Sequence, residues 1–185
     1  MSDQVLHLDF INLTPETGSE ERNQLEDAAA KLRAVDGVRG IGLLEGDGAS
    51  DFDLALWFTL RDFAALEPFG THPDYTRFLQ GTVAPMLRGF AGVDVKLEED
   101  LEAGHGAAAC LVLLGPDEAY DFEVREALQT WVEAVDAATA AYGVAVGERQ
   151  IYRGAAVAFG PRRAGRPEVS PFRATLIRGQ ARVLA

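Results

Sequence analysis

The chain has 185 residues, room for one large domain or two of about 90 residues each. A hydrophobic share of 48% with 25% charged residues is that of an ordinary globular protein, and a net charge of −12 argues against a nucleic-acid partner. The opening MSDQVLHLDFINL lacks the basic and apolar regions of a signal peptide, and no run approaches the roughly 18 apolar residues of a membrane span, so a cytoplasmic protein with no membrane partner is expected.

In chain order, Leu6, Leu8 and Phe10 alternate with His7 and Asp9, the periodicity of a strand. Ser19, Glu20 and Glu21 supply a cap and an acidic first turn. Leu25, Ala28, Ala29, Leu32 and Val35 follow at helical spacing until Asp36-Gly37. Val38–Glu45 reads as a second strand and Asp53–Leu60 as a third. In the third, Leu54, Leu56 and Phe58 share one face while Ala55 and Trp57 share the other, so both faces call for cover. After a short turn at 62–66, a helix opens near Pro73 and carries Tyr75, Phe78, Val83 and Met86 on one stripe. Thr71 is its expected cap. Val93, Val95 and Leu97 alternate with Asp94, Lys96 and Glu98 in a fourth strand.

This βαββαβ order is ferredoxin-like and gives a first domain over 1–98. Residues 99–106, acidic and then glycine-rich, read as a linker. The pattern restarts over 107–185 with a strand at Ala107–Leu114 and a helix opened by Pro116-Asp117 with Val124, Leu128, Trp131 and Val135 at core spacing. Strands at Val144–Arg153, Ala155–Phe159 and Phe172–Ile177 follow. The second half is read as a degenerate repeat whose second helix is replaced by the loop GPRRAGRPEVSP. Each sheet has helices on one face only, so the expected fold class is α+β, two ferredoxin-like sheets packed face to face as a (pseudo-)dimeric α/β barrel. A monomeric pseudo-dimer is favoured, with a homodimer as the alternative.

From Arg149 onward there are eight arginines and one acid, Glu168, which suggests a basic tail laid against an acidic body; an anion site is the sharper alternative. Cys110, inside AAACLVLL, reads as a buried core thiol. No HxH, HExxH or Cys/His cluster is present, nor a GxGxxG, Walker or GxSxG sequence, so no metal and no cofactor is expected.

His7, the run Asp53-Leu54-Ala55-Leu56 and His72-Pro73 together resemble the stress-responsive dimeric α/β-barrel family over about residues 5–98. The resemblance implies a barrel protein, one whose relatives include a plant polyketide cyclase working with a histidine and a tyrosine. Those two positions are here Tyr75 and Phe69, so a cyclase using that same pair is not implied. The replacement reading makes His72 the base and Tyr75 the acid, because a phenol of pKa about 10 is a poor base. The plain alternative is that His72-Pro73-Asp74-Tyr75 simply starts a helix. His7, Asp9, Trp57 and Phe69 are the further candidates for lining a site. The expected ligand is a small apolar or aromatic, polyketide-like compound in the barrel cavity. A non-catalytic stress-response or assembly protein with a filled barrel and a cofactor-free monooxygenase are the alternatives. Relatives with this layout also include haem enzymes, but no residue here singles itself out as an axial ligand. Enzyme status is left open.

Overall fold

A computed structural model describes residues 2–102, 104–115, 120–146, 152–161, 165, 167 and 172–184. The first half runs β1 (Val5–Leu13), α1 (Ser19–Lys31), β2 (Val38–Gly46), β3 (Leu54–Leu60), α2 (Leu66–Gly70), α3 (Pro73–Phe78) and β4 (Leu87–Leu97). The second runs β5 (Gly106–Leu114), α4 (Asp121–Val135), β6 (Thr139–Ala145), β7 (Tyr152–Phe159) and β8 (Arg173–Val183). Among the described residues these strands close into one antiparallel barrel in the order β1-β3-β2-β8-β5-β7-β6-β4. Each half contributes the order 4-1-3-2, and the halves meet edge to edge at two seams, β2 with β8 and β4 with β6. Closure removes every free sheet edge.

The seams are drawn tight by glycines. A Cβ on Gly179 of β8 would lie 1.8 Å from the Glu45 carbonyl oxygen, and one on Gly143 of β6 would lie 2.0 Å from that of Lys96. Only hydrogen side chains let those backbones approach so closely. Across the first seam the basic tail does meet acidic partners. Arg178 pairs with Asp47 at 2.7 Å, and Arg182 with Glu26 at 2.8 Å and Glu45 at 3.3 Å. These are exposed pairs and contribute little each. Arg149, Arg162, Arg163, Arg166 and Glu168 lie outside the described residues, as does the Pro116-Asp117 helix start.

The barrel interior is a packed core. Leu6, Leu8, Phe10, Ala55, Trp57, Val93, Val95, Cys110, Val112, Val157, Phe159 and Ile177 are buried there. Trp57 lies flat over Gly42, its cross-strand neighbour, where an added Cβ would come within 1.9 Å of the indole, and its ring meets Phe159 edge-on at 5.5 Å. Cys110 is a core thiol, pushed above its ordinary pKa by burial. Outside the barrel, α1 buries Leu25 and Ala29, and α4 buries Val124, Leu128, Trp131 and Val135 at helical spacing. Each such large apolar side chain contributes about 1.5–3 kcal/mol. In the second half Trp131 Nε1 donates to the Gly165 carbonyl at 3.2 Å, and Phe172 packs beside Gly115; most of the loop expected in place of the second helix lies outside the described residues.

Local boundaries differ from expectation at three places. The cap of α1 is Gly18, whose N–H donates to Glu21 Oε2 at 3.0 Å, with Ser19 already in the helix. The helix expected to run unbroken from Pro73 ends at Phe78. A π turn over Leu79–Val83 and a 3₁₀ turn over Ala84–Met86 replace its second half, where Gly81 and Pro85 weaken regular helix. Of the strand read at Val144–Arg153, residues 147–151 lie outside the described residues; Val144 belongs to β6, which starts at Thr139 because α4 stops at Asp136 in a left-handed conformation (φ 47°), and Arg153 belongs to β7, which starts at Tyr152.

Candidate functional site

Period two along β1 sends Val5, His7, Asp9 and Ile11 outward, toward the helices, while Leu6, Leu8 and Phe10 enter the barrel. His7 and Asp9 therefore sit between the sheet and α2–α3, not inside the barrel. Register completes the cluster, since His7 stands opposite Asp94 of β4 and opposite Phe58 of β3. The first turn of α3 then brings Tyr75 down onto them.

The hydrogen bonds form one chain. His7 Nδ1 meets Asp94 Oδ1 at 2.5 Å, His7 Nε2 meets the Tyr75 hydroxyl at 2.7 Å, and that hydroxyl donates to Asp9 Oδ2 at 2.8 Å. Asp9 is 1% exposed, and its other oxygen, Oδ1, accepts no hydrogen bond. Oδ1 lies 3.2 Å from His7 Nε2, an ionic contact that is out of line for hydrogen bonding because that N–H is directed at Tyr75. Phe58, Phe69 and Phe78 wall the cluster. Phe69 packs against the Tyr75 ring at 4.5 Å and edge-on to His7 at 5.4 Å.

The charge state follows from the surroundings. Burial alone would lower the His7 pKa, but the charges of Asp9 and Asp94 and the close polar contacts with them outweigh it and raise the pKa from 6.5 to about 10. His7 is thus an imidazolium at neutral pH, with both N–H groups donating. Burial, reinforced by the Asp9 and Asp94 charges, pushes the Tyr75 phenol well above its ordinary range, so it stays a neutral donor. A dry imidazolium between two carboxylates is costly unless every partner is in place. The unmet capacity is on Asp9 Oδ1, a carboxylate oxygen in an apolar wall with lone pairs uncommitted.

Of the residues expected to form a site, His7, Asp9, Phe69 and Tyr75 come together here. His72 does not join them: it is the cap of α3, in place of Thr71, its Nδ1 accepting the Asp74 N–H at 3.2 Å, while the Thr71 hydroxyl bonds the Glu67 carbonyl. Trp57 lies on the opposite face of the sheet, in the barrel core. Asp94 is the member that sequence reasoning missed. Asp53, part of the run that opens β3, accepts the Leu13 N–H at 2.8 Å and so pins the end of β1. Among the described residues no group of three or more His, Cys, Asp or Glu side chains is placed to hold a metal ion, and no helix is long and apolar enough to cross a membrane.

A closed antiparallel α/β barrel, built from two ferredoxin-like halves of one chain with a polar cluster under the helices of the first half, defines the class of protein. The chain belongs to the stress responsive A/B barrel domain family, whose sequence profile matches residues 5–97. No curated protein matches it. Among solved structures it is similar to a candidate monooxygenase from Lactobacillus acidophilus NCFM, at 11% identity and a TM-score of 0.59 with both chains covered in full. It is similar as well to an anthrone oxidase-like protein, at 12% identity and a TM-score of 0.60 over 98% of this chain and 93% of that one. A family protein with a ferredoxin-like fold from Mesorhizobium loti MAFF303099 is 22% identical over 55% of this chain and 98% of its own, with a TM-score of 0.44. At these identities the first two likenesses are likenesses of fold, and both extend over the two-half barrel.

Proposed function

We propose that this protein converts a small aromatic or β-dicarbonyl compound, and that the chemistry takes place at the His7–Asp9–Tyr75–Asp94 cluster under the helices, not within the barrel. Asp9 is the base, taking a proton from an acidic C–H or O–H of the substrate. The charge of the His7 imidazolium, held by Asp94, offsets the negative charge left on the substrate, while the neutral Tyr75 hydroxyl keeps the other Asp9 oxygen hydrogen-bonded. The observation that carries this reading is Asp9 Oδ1, buried, free of hydrogen bonds and 3.2 Å from the imidazolium. A substrate carbanion or phenolate of this kind either closes on a second carbonyl or reacts with dioxygen, which is the reaction class of a cofactor-free monooxygenase. The name of the anthrone oxidase-like structure makes anthrone the first compound to try.

The test is dioxygen uptake with anthrone, and product mass with a linear poly-β-ketone, for the wild type and Asp9→Asn. Turnover that falls by roughly 10²–10⁴-fold in the variant supports the assignment. A wild-type rate equal to the buffer's with both compounds would sink it. One observation favours a second reading, a non-catalytic barrel protein: Phe10, Trp57 and Phe159 pack the space between the sheets, where a ligand cavity was expected. Absence of both turnover and co-purifying ligand is the outcome that this reading expects.

A further inference from the structure

Gly92 stands directly opposite Asp9 in the β1–β4 pairing, on the outward face that also carries Phe90 and Asp94. Nothing in the backbone asks for glycine there, since its φ is not among the positive values. Nor does crowding. A Cβ at Gly92 would lie 3.6 Å from the Leu8 carbonyl oxygen, 3.7 Å from Asp9 Oδ1 and 3.9 Å from Phe90 Cε1, all ordinary contacts. This separates it from Gly143 and Gly179, where a side chain would collide with the neighbouring strand. A strand-interior glycine with no conformational or steric cause marks a place where something else comes close. What the missing side chain leaves is a methyl-sized space beside Asp9 Oδ1, the buried oxygen that accepts no hydrogen bond. The edge of the Phe90 ring borders that space, and Phe90 is 43% exposed, a large aromatic partly in water.

We propose that Gly92 and Phe90 form the port to Asp9: Gly92 supplies the space through which a flat aromatic acid reaches Oδ1, and Phe90 roofs that space when empty and stacks on the ligand when filled. The proposal rests on the reading of Asp9 as the base and adds a substrate shape, planar and narrow enough to pass between Phe90 and Asp94. Access through this face needs only one exposed ring to turn. Access through α3 would require Tyr75 to leave two hydrogen bonds.

The test reads access without turnover. The full chain is treated with a water-soluble carbodiimide and glycinamide, and the amide formed at Asp9 is followed by peptide mass spectrometry. Phe90→Ala should label about tenfold faster than wild type, the scale of losing one ring's packing from a local opening. Gly92→Ala should label more slowly. Adding Gly92→Ala to Phe90→Ala should bring the rate back down, which general loosening of the strand would not do. Equal Asp9 labelling in all four proteins overturns the port. So does faster labelling in Phe90→Ala accompanied by faster amide exchange along β1, because the route is then unfolding. The two readings fail separately. Labelling that follows Phe90 and Gly92 with no anthrone turnover keeps the port and removes the reaction. Turnover that depends on Asp9, with labelling indifferent to both residues, does the reverse.

Discussion

The Tyr75 hydroxyl joins an imidazolium to a carboxylate, so its removal should be felt twice. Tyr75→Phe leaves His7 Nε2–H and Asp9 Oδ2 without their partner in an apolar wall, and we expect a loss of about 1–3 kcal/mol in urea unfolding. His7 gives the cluster a pH signature with a definite sign. Its pKa is raised on folding, so its contribution to stability is full below pH 6.5 and drains away as pH climbs toward about 10. Thermal midpoints measured across that window should fall in the wild type and fall less in His7→Gln. A flat wild-type profile would mean that the imidazolium is not held as described. Part of this cluster is legible in the chain itself. Two-residue spacing puts His7 and Asp9 on one face, while Phe69 and Tyr75 are pointed to by the family resemblance. Asp94 is not legible, because between Val93 and Val95 it reads as an ordinary solvent-facing residue, and only the β1–β4 register sets it against His7. His72 misleads for the opposite reason: a histidine before proline looks chemically equipped, yet its ring is committed to capping a backbone N–H.

Among the elements, the glycines divide into those that the fold requires and those that it tolerates. Gly143→Ala and Gly179→Ala should each lower the thermal midpoint and speed proteolysis near their seams, since the new methyl group meets backbone that cannot move without parting two strands. Gly81→Ala, in the π turn where nothing lies within 4 Å, should be neutral or stabilising by roughly 0.4–1 kcal/mol. The first half is readable from sequence because its strands alternate cleanly and its turns carry Gly, Pro and Asp. β6 is harder, since Ala140 and Ala141 do not favour a strand and are held by pairing with β7 and by the tight approach of Gly143 to β4. The break after Phe78 is hidden in an apolar stripe that suits a continuous helix. Gly81 and Pro85 are its local sign, and π turns of this kind gather at functional sites.

At the scale of the molecule, one chain supplies both sheets, and every strand edge finds its partner within it. Native mass spectrometry should therefore show a monomer whose proportion does not change on dilution, whereas a dimer that dissociates would mean that the second sheet also needs a partner. The outward face of β5 carries Ala109, Leu111 and Leu113, apolar throughout, where β1 carries Val5, His7, Asp9 and Ile11. Any ligand that binds the polar cluster should thus saturate at one per chain, and isothermal titration would report that ratio directly. Symmetry has a further consequence. In a barrel assembled from two identical subunits, every amino-acid change is made twice, and a residue good for binding but poor for packing burdens both sides. Joining the halves in one polypeptide removes that coupling, so one half can present an apolar outward face while the other holds buried charge. Inheritance can then act on the two sheets as separate traits, with stability gained in one able to compensate for strain retained in the other.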